Sequence, residues 1–393
     1  MKQILAVTWM NLRSLPARAV TSLVIVVGIA LVVGVLVAML SMSRGFEYTL
    51  KGTGTEQRAL LLSAGVTAEL SSYMGPDVVP LLRELPGIQR DAAGKPLASA
   101  ELMVITELKR NGGDVNVALR GVEPAGMAMR PEVKLVEGRL FKPGLREVIA
   151  GRAATRQFSG IGVGSKLEFR GSEWSVVGIF DSSGDAHESE LWTDADTARS
   201  AFGRPGASSI LAQLDPARPP ADALAALKAT VAGDPRFQVD VLSERGYYTS
   251  QSQGATDNIN IVTNVIIVIM AFGAVFGALN TMYSAVAARQ IEIATLRAIG
   301  FSGLPVMISV LTESVALALV GGVIGAVIAW LLFDGLTTAT LGQNFTQVAF
   351  SFAVTPSLVV RGLSWALGIG LVGGFFPALK AIRQPVAEAL RGA

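Results

Sequence analysis

From residue 20 to residue 40 the chain reads VTSLVIVVGIALVVGVLVAML, 21 residues without a charged side chain. At about 1.5 Å of rise per residue, a helix of that length covers the ~30 Å hydrocarbon core of a bilayer. Beyond residue 256 three more long, predominantly apolar runs follow, and we place the four spans at residues 20–42, 257–286, 305–333 and 356–379. Lipid offers no partner for backbone polar groups, so an apolar run with no alternation must close its hydrogen bonds internally, as a helix. Composition agrees: 51% of residues are hydrophobic and only 16% charged, where soluble domains carry roughly a quarter. The first run exceeds the ~7–15 apolar residues of a signal peptide, and no A-x-A site follows it, so residues 20–42 read as an uncleaved anchor behind residues 1–19.

The midsection, residues 43–256, is different. It contains short alternating runs rich in branched and aromatic residues, punctuated by Gly and Pro, the pattern of a folded α+β domain. Strands are expected at residues 59–62, 101–108, 115–121, 147–150, 166–169, 174–180, 209–214 and 237–242, and helices at 77–85, 195–202 and 221–232. Residues 246–258 are polar but hold no Pro, so the second span can extend outward as one continuous rod. The expected fold class is an integral membrane protein of four transmembrane α-helices with a large α+β extracytoplasmic domain between spans 1 and 2.

Charge sets the orientation. Lys2, Arg13 and Arg18 precede the first span, Arg289 and Arg297 lie between the second and third, and Lys380, Arg383 and Arg391 follow the fourth. In a four-span chain these fall on one side, which the positive-inside rule makes the cytoplasm. Residues 334–355, read as a short outer loop, contain no Lys or Arg. The C-terminal residues 380–393 return to the cytoplasm.

Several chemistries are excluded. With no Cys and one His, neither a disulfide framework nor a multi-His zinc site can form. No basic cluster is interleaved with aromatics, so no nucleic-acid surface is indicated. No G-x-x-x-x-G-K-[ST] loop is present; the nearest imitation, GIGVGSK at residues 160–166, fails the spacing and reads as a turn into a strand. His187 stands in GDAHESELW beside Asp185, Glu188 and Glu190, which we read as a solvated loop rather than a metal centre, with contact to a substrate or partner as the sharper alternative. Glu313 in the third span is costly against lipid and is expected to turn to protein in a structural hydrogen bond rather than a proton relay. Asn264 and Asn280 read the same way. Small-residue pairs four apart, Gly34/Ala38, Gly273/Gly277, Gly321/Gly325 and Gly370/Gly374, mark expected helix contacts, within one chain or across a dimer.

The most informative segment is 287–304, between spans 2 and 3. Its ARQIEIATLRAIG reads as a short helix with Ile291, Ala294 and Ile299 or Leu296 for an apolar side, Arg289, Glu292 and Arg297 for a polar one, and Gly300 as its stop. Such a helix can anchor at the interface or dock in the groove of a soluble partner. Together with LTESVALALVGGVIG at 311–325, the ending PALKAIRQPVAEALR at 377–391 and REVIAGRAATRQFSGIGVGSKLEFRGSEWSVVGIFD at 146–181, it resembles the FtsX/MacB-like permease family of bacterial ABC transporters. The resemblance spans the whole architecture, one span, a large outer domain, then three spans, in the inner (plasma) membrane.

That resemblance implies a mechanotransmitter without catalytic residues of its own. Residues 287–304 would be the coupling helix set into a separate cytoplasmic ATPase, with Arg289, Glu292, Ile293, Leu296, Arg297 and Gly300 at the coupling site. ATP and Mg would be held by that ATPase, with no cofactor on this chain. A second permease copy, as homodimer or related heterodimer, and a periplasmic adaptor are further implied partners. Export or extraction of an amphipathic or lipid-linked substrate is the favoured role. Regulation of periplasmic cell-wall hydrolases, or an ATPase-independent sensor or scaffold, stays open.

Overall fold

A computed structural model describes residues 7–10, 13, 19–108, 115–158, 160–341 and 347–383. In chain order its helices are α1 (Ala19–Gly52), α2 (Val79–Arg83), α3 (Pro124–Ala128), α4 (Arg152–Gln157), α5 (Ala195–Phe202), α6 (Pro220–Ala232), α7 (Glu244–Ala288), α8 (Gln290–Ala298), α9 (Gly303–Phe333) and α10 (Pro356–Arg383). The strands are β1 (Arg58–Ser63), β2 (Ala98–Leu108), β3 (Val115–Val122), β4 (Lys134–Gly138), β5 (Glu147–Gly151), β6 (Lys166–Phe169), β7 (Ser172–Asp181), β8 (Leu191–Asp194), β9 (Ser209–Gln213), β10 (Val239–Ser243), β11 (Thr337–Leu341) and β12 (Gln347–Ser351). The chain divides into a helical unit, residues 1–44, 258–336 and 352–393, and an α+β unit, residues 45–257 and 337–351. Of the charges used for orientation, Lys2, Arg18 and Arg391 lie outside the described residues.

In the helical unit, α1, α7, α9 and α10 are each long and apolar enough to cross a membrane. They bury one shared cluster, including Val33 and Leu36 of α1, Met282 of α7, Val310 and Ala318 of α9, and Ala366 and Ile369 of α10. Glycine sets how closely they approach. A Cβ on Gly325 would fall 2.3 Å from the Ala30 carbonyl oxygen, and one on Gly321 2.6 Å from that of Val26. Gly370 and Gly374 are equally tight, each 2.6 Å from a Cβ on α9, that of Ala318 and Ser314. Ser314 also donates to the Gly370 carbonyl at 2.8 Å, tying α9 to α10 inside the apolar layer. The expected pair Gly273/Gly277 behaves differently: a Cβ at either meets nothing within 4 Å, so neither sets a close helix approach among the described residues. The α7–α10 approach comes instead from Gly373, whose Cβ would lie 2.7 Å from that of Ala278.

The α+β unit is built on one sheet in the order β10-β1-β9-β2-β3-β8-β5-β7-β4, with β6 on β7. Most neighbours are antiparallel; β3–β8 and β5–β7 are parallel. Side chains alternate across a strand. Leu102 and Val104 of β2, Leu119 of β3, Val148 and Ala150 of β5 and Leu191 of β8 therefore share one face, packed with Ala154 of α4 and Ala198 of α5. Glu101, Arg120 and Trp192, each one residue away, belong to the opposite face.

Two features depart from the sequence reading. The first helix runs on to Gly52, because Phe46 and Leu50 are buried and its last turns belong to the α+β unit. The connection 334–355 is more than a short loop: it holds the antiparallel hairpin β11–β12, part of the same unit. There the Ala349 amide donates to Ser189 Oγ at 2.9 Å, and the Phe350 ring meets Phe46 edge-on at 5.6 Å between centroids.

Candidate functional site

At the start of α8 the chain turns through Arg289. Its Nη1 donates to Glu313 Oε2 of α9 at 2.8 Å, and both side chains are buried. In an apolar layer neither charge is tolerable alone, so the pair fixes where α8 leaves α7 relative to α9. Glu313 is thus turned to protein, in an ion pair to the residue that precedes α8. Drawing Arg289 inward also sets the roll of α8. Ile293, four residues on, falls on the same face and is buried with Ala294. Ile291 and Ile299, expected on the apolar side, are instead 50% and 69% exposed, and the Glu292 side chain is 63% exposed. Leu296 and Arg297 are half-buried. Gly300 ends the helix at φ +99, with Phe301 N donating to the Leu296 carbonyl and Gly300 N to that of Arg297. This left-handed stop suits glycine, which has no Cβ to clash. The resulting surface is a short ramp of two isoleucines around an acid, held from behind by an ion pair.

The α+β unit contains a second site that the sequence reading missed. Arg120 of β3, fully buried, uses all five of its N–H groups. It donates to Glu69 at 2.8 Å from both Nη atoms, to Glu190 at 2.8 and 3.0 Å, to Glu101 at 2.9 Å and to Tyr248 Oη at 3.4 Å. Arg130 grips Glu101 at 2.5 and 3.0 Å and lies over the Trp192 ring, 5.3 Å from its centroid. Arg58, at the start of β1, pairs with Glu132 and with Glu244 at 2.6 Å. Burial works against the charges of Arg58, Arg120, Arg130, Glu101 and Glu190, and proximity to opposite charge outweighs it. Arg120 and His187 hold the Glu190 carboxyl well below the usual range, and Arg130 with Arg120 does the same for Glu101.

Three members of this cluster, Glu244, Tyr247 and Tyr248, form the first turns of α7. The Tyr247 hydroxyl accepts from the Glu69 amide at 3.1 Å, and Glu244 also takes the Thr55 amide at 3.2 Å. The cluster therefore clamps the root of α7 onto the sheet. A readable signal existed: Glu101 and Arg120 are lone charges inside apolar strands, SAELMVI and VALRGV, where a half-exposed strand would place polar residues at every second position.

His187 corrects the solvated-loop reading. It is completely buried, with Nδ1 3.2 Å from Glu190 Oε2 and its ring edge-on to Trp192 and Tyr248. Burial alone would lower its pKa, but Glu190 and Asp185 outweigh that and raise it. Burial pushes the Asp185 carboxyl up to about 6, against His187 and the Ser182 hydroxyl. The loop can be buried because Arg120 pairs with Glu190 while Asp185 and Glu188 accept from Ser182, His187 and Gly184, and the Arg120 contact is one that sequence proximity does not reveal. No group of three potential metal ligands converges among the described residues.

Comparison with known proteins matches a MacB-like periplasmic core domain to residues 19–230 and an FtsX-like permease C-terminal domain to residues 264–386. An uncharacterized ABC transporter permease of Methanocaldococcus jannaschii is 24% identical over 241 residues, 59% of this chain and 58% of its own. The ABC transporter permease YtrF of Bacillus subtilis is 29% identical over 165 residues, 38% of each chain. The pyoverdine export ATP-binding/permease protein PvdT of Pseudomonas entomophila is 33% identical over 141 residues, 36% of this chain and 20% of its own. The chain thus spans less than two thirds of the length of each of these relatives. Among solved structures, the periplasmic region of MacB from Actinobacillus actinomycetemcomitans is similar at a TM-score of 0.38 and 14% identity, covering 50% of this chain and 92% of that one. With one match on each side of residue 240 and four helices fit to span a bilayer, the chain belongs to the FtsX/MacB-like family of ABC transporter permeases, with its periplasmic-type α+β domain between spans 1 and 2.

Proposed function

We propose that this chain is the permease subunit of an inner-membrane ABC complex, coupling ATP hydrolysis on a separate cytoplasmic ATPase to a conformational change of the outer domain. ATP and Mg belong to that ATPase, and a second permease copy completes the membrane part. The cargo is an amphipathic or lipid-linked molecule, exported or extracted, with a periplasmic adaptor as a further partner. One observation carries this reading: α7 is a single helix whose first turns are clamped by buried charges and whose last turn passes through the Arg289–Glu313 pair into α8. A push on α8 has a continuous hydrogen-bonded path into α7 and no flexible linker to dissipate it.

In this scheme Ile291, Glu292 and Ile299 present the docking face, Arg297 flanks it, and Arg289 and Ile293 hold it from within. The test is co-purification of the solubilised protein with a Walker-type ATPase, followed by hydrolysis assays. Glu292→Arg and Ile299→Asp are expected to weaken the pairing by about ten-fold or more, the scale of roughly 1.4 kcal/mol, and Arg297→Glu to abolish stimulated hydrolysis. Unchanged pairing in the double variant would remove α8 from the contact. Failure of any ATPase to accompany the protein would favour the sensor or scaffold reading.

A further inference from the structure

A groove of about 580 Å³ runs between α7 and α10 in the helical unit. Val268, Phe272 and Val275 form one wall, and Trp365 and Val372 the other. Gly368 lies between Trp365 and Val372, and a Cβ there would meet nothing within 4 Å, so the groove is open along that stretch. At one end stands Arg361, exposed, with no partner among the described residues, beside Ser364. Both helices run from the outer to the inner side, so Arg361 lies at the outer end, five residues past Pro356, or about 7 Å along the axis. From Arg361 to Val372 is eleven residues, about 16 Å, roughly half the hydrocarbon core and hence the depth of one leaflet.

A guanidinium at that depth is costly against neutral hydrocarbon, yet its side chain can reach up to the phosphate layer. Below it the walls offer only apolar and aromatic contacts for one leaflet's depth. We propose that this groove is a binding site for an anionic glycerophospholipid of the outer leaflet, its phosphate on Arg361 and Ser364 and one acyl chain along Trp365, Gly368 and Val372. The site rests on the membrane topology and holds whether or not the chain couples to an ATPase.

Trp365 is the built-in probe. The full chain, with Trp9→Phe and Trp330→Phe to remove the other lipid-exposed indoles, is reconstituted in vesicles containing brominated phosphatidylglycerol or brominated phosphatidylcholine at equal mole fraction. Trp174 and Trp192 are buried in the α+β unit and stay dark to the quencher. Quenching of Trp365 is expected to favour phosphatidylglycerol by about five-fold, the ratio that roughly 1 kcal/mol per basic residue at a lipid surface gives. Arg361→Gln is expected to remove the preference while leaving total quenching, and Trp330 probed alone is expected to show none. Equal quenching by both lipids, or a preference surviving Arg361→Gln, would overturn the assignment. Absence of quenching by either lipid would mean that a second copy of the chain covers the groove, which also overturns it.

Discussion

Replacing Arg120 by Met tests whether the ionic cluster holds the α+β unit together. The substitution keeps an unbranched apolar stem, shorter than arginine's, and removes the cation shared by Glu69, Glu101 and Glu190. Glu101 retains Arg130. Glu69 keeps the Ser209 hydroxyl at 2.5 Å, and Glu190 keeps the Trp192 indole at 2.6 Å and His187. Stranding a buried charge by removing its partner costs about 3–5 kcal/mol. Because neutral donors remain at both orphaned acids, the whole cluster is expected to lose about 4 kcal/mol rather than twice that. In a unit of this size, each kcal/mol moves the midpoint by roughly 2–4 °C, so a fall of about 8–16 °C follows. The depressed carboxyl of Glu190 contributes stability above its unfolded pKa of about 4.3 that wild type loses only as pH falls through the lower folded value. Without Arg120 the stranded acids take up protons more readily, so the deficit should shrink to about 2 kcal/mol at pH 5. Calorimetry of the detergent-solubilised chain at pH 7.5 and pH 5 reads both quantities. A deficit under about 1 kcal/mol at pH 7.5, or one equal at the two pH values, would refute the reasoning.

Asp185→Asn should stabilise the same unit at pH 7.5 by about 1–3 kcal/mol, since the raised carboxyl costs most once ionised. Its contribution is complete below the unfolded pKa and lost as pH rises through about 6, so the gain should vanish near pH 4, read by the same calorimetry. Glu313→Gln removes the buried counter-charge of Arg289 and leaves the exposed Glu292 at 3.9 Å. It should lower the thermal stability of the helical unit by about 3–5 kcal/mol and, in the assembled complex, reduce stimulated hydrolysis while Glu292 stays available. Gly325→Val drives a side chain into the Ala30 carbonyl and should abolish the monodisperse peak in size-exclusion chromatography, whereas Gly277→Val, facing open space, should leave the monomer intact.

The spans were legible because lipid imposes a rule with little tolerance: long apolar runs must be helices. Strands such as β7, with Trp174, Val176 and Phe180 alternating inward, were readable for the same kind of reason. β4 was not, since every one of its residues is exposed and no alternation marks it. Hairpin β11–β12 was missed because the absence of basic residues says which side a loop lies on but nothing about what it packs against. At α8 the helix was legible but its roll was not; the deciding contact, Arg289 to Glu313, joins positions 24 apart. The ionic cluster was least legible, as its members come from β1, β2, β3, α7 and the connections that carry Glu69, Arg130, Glu132 and Glu190, and they meet only once the sheet is ordered.

The saturated guanidinium of Arg120 limits how the root of α7 can move. It fixes Glu69 and Glu190, and sliding Glu244 or Tyr247 by even an ångström takes the partner from the buried Arg58 Nε or the Glu69 amide, so gradual creep is forbidden and the root travels with its strands or stays put. Motion at this joint is therefore stepwise, like a latch rather than a spring.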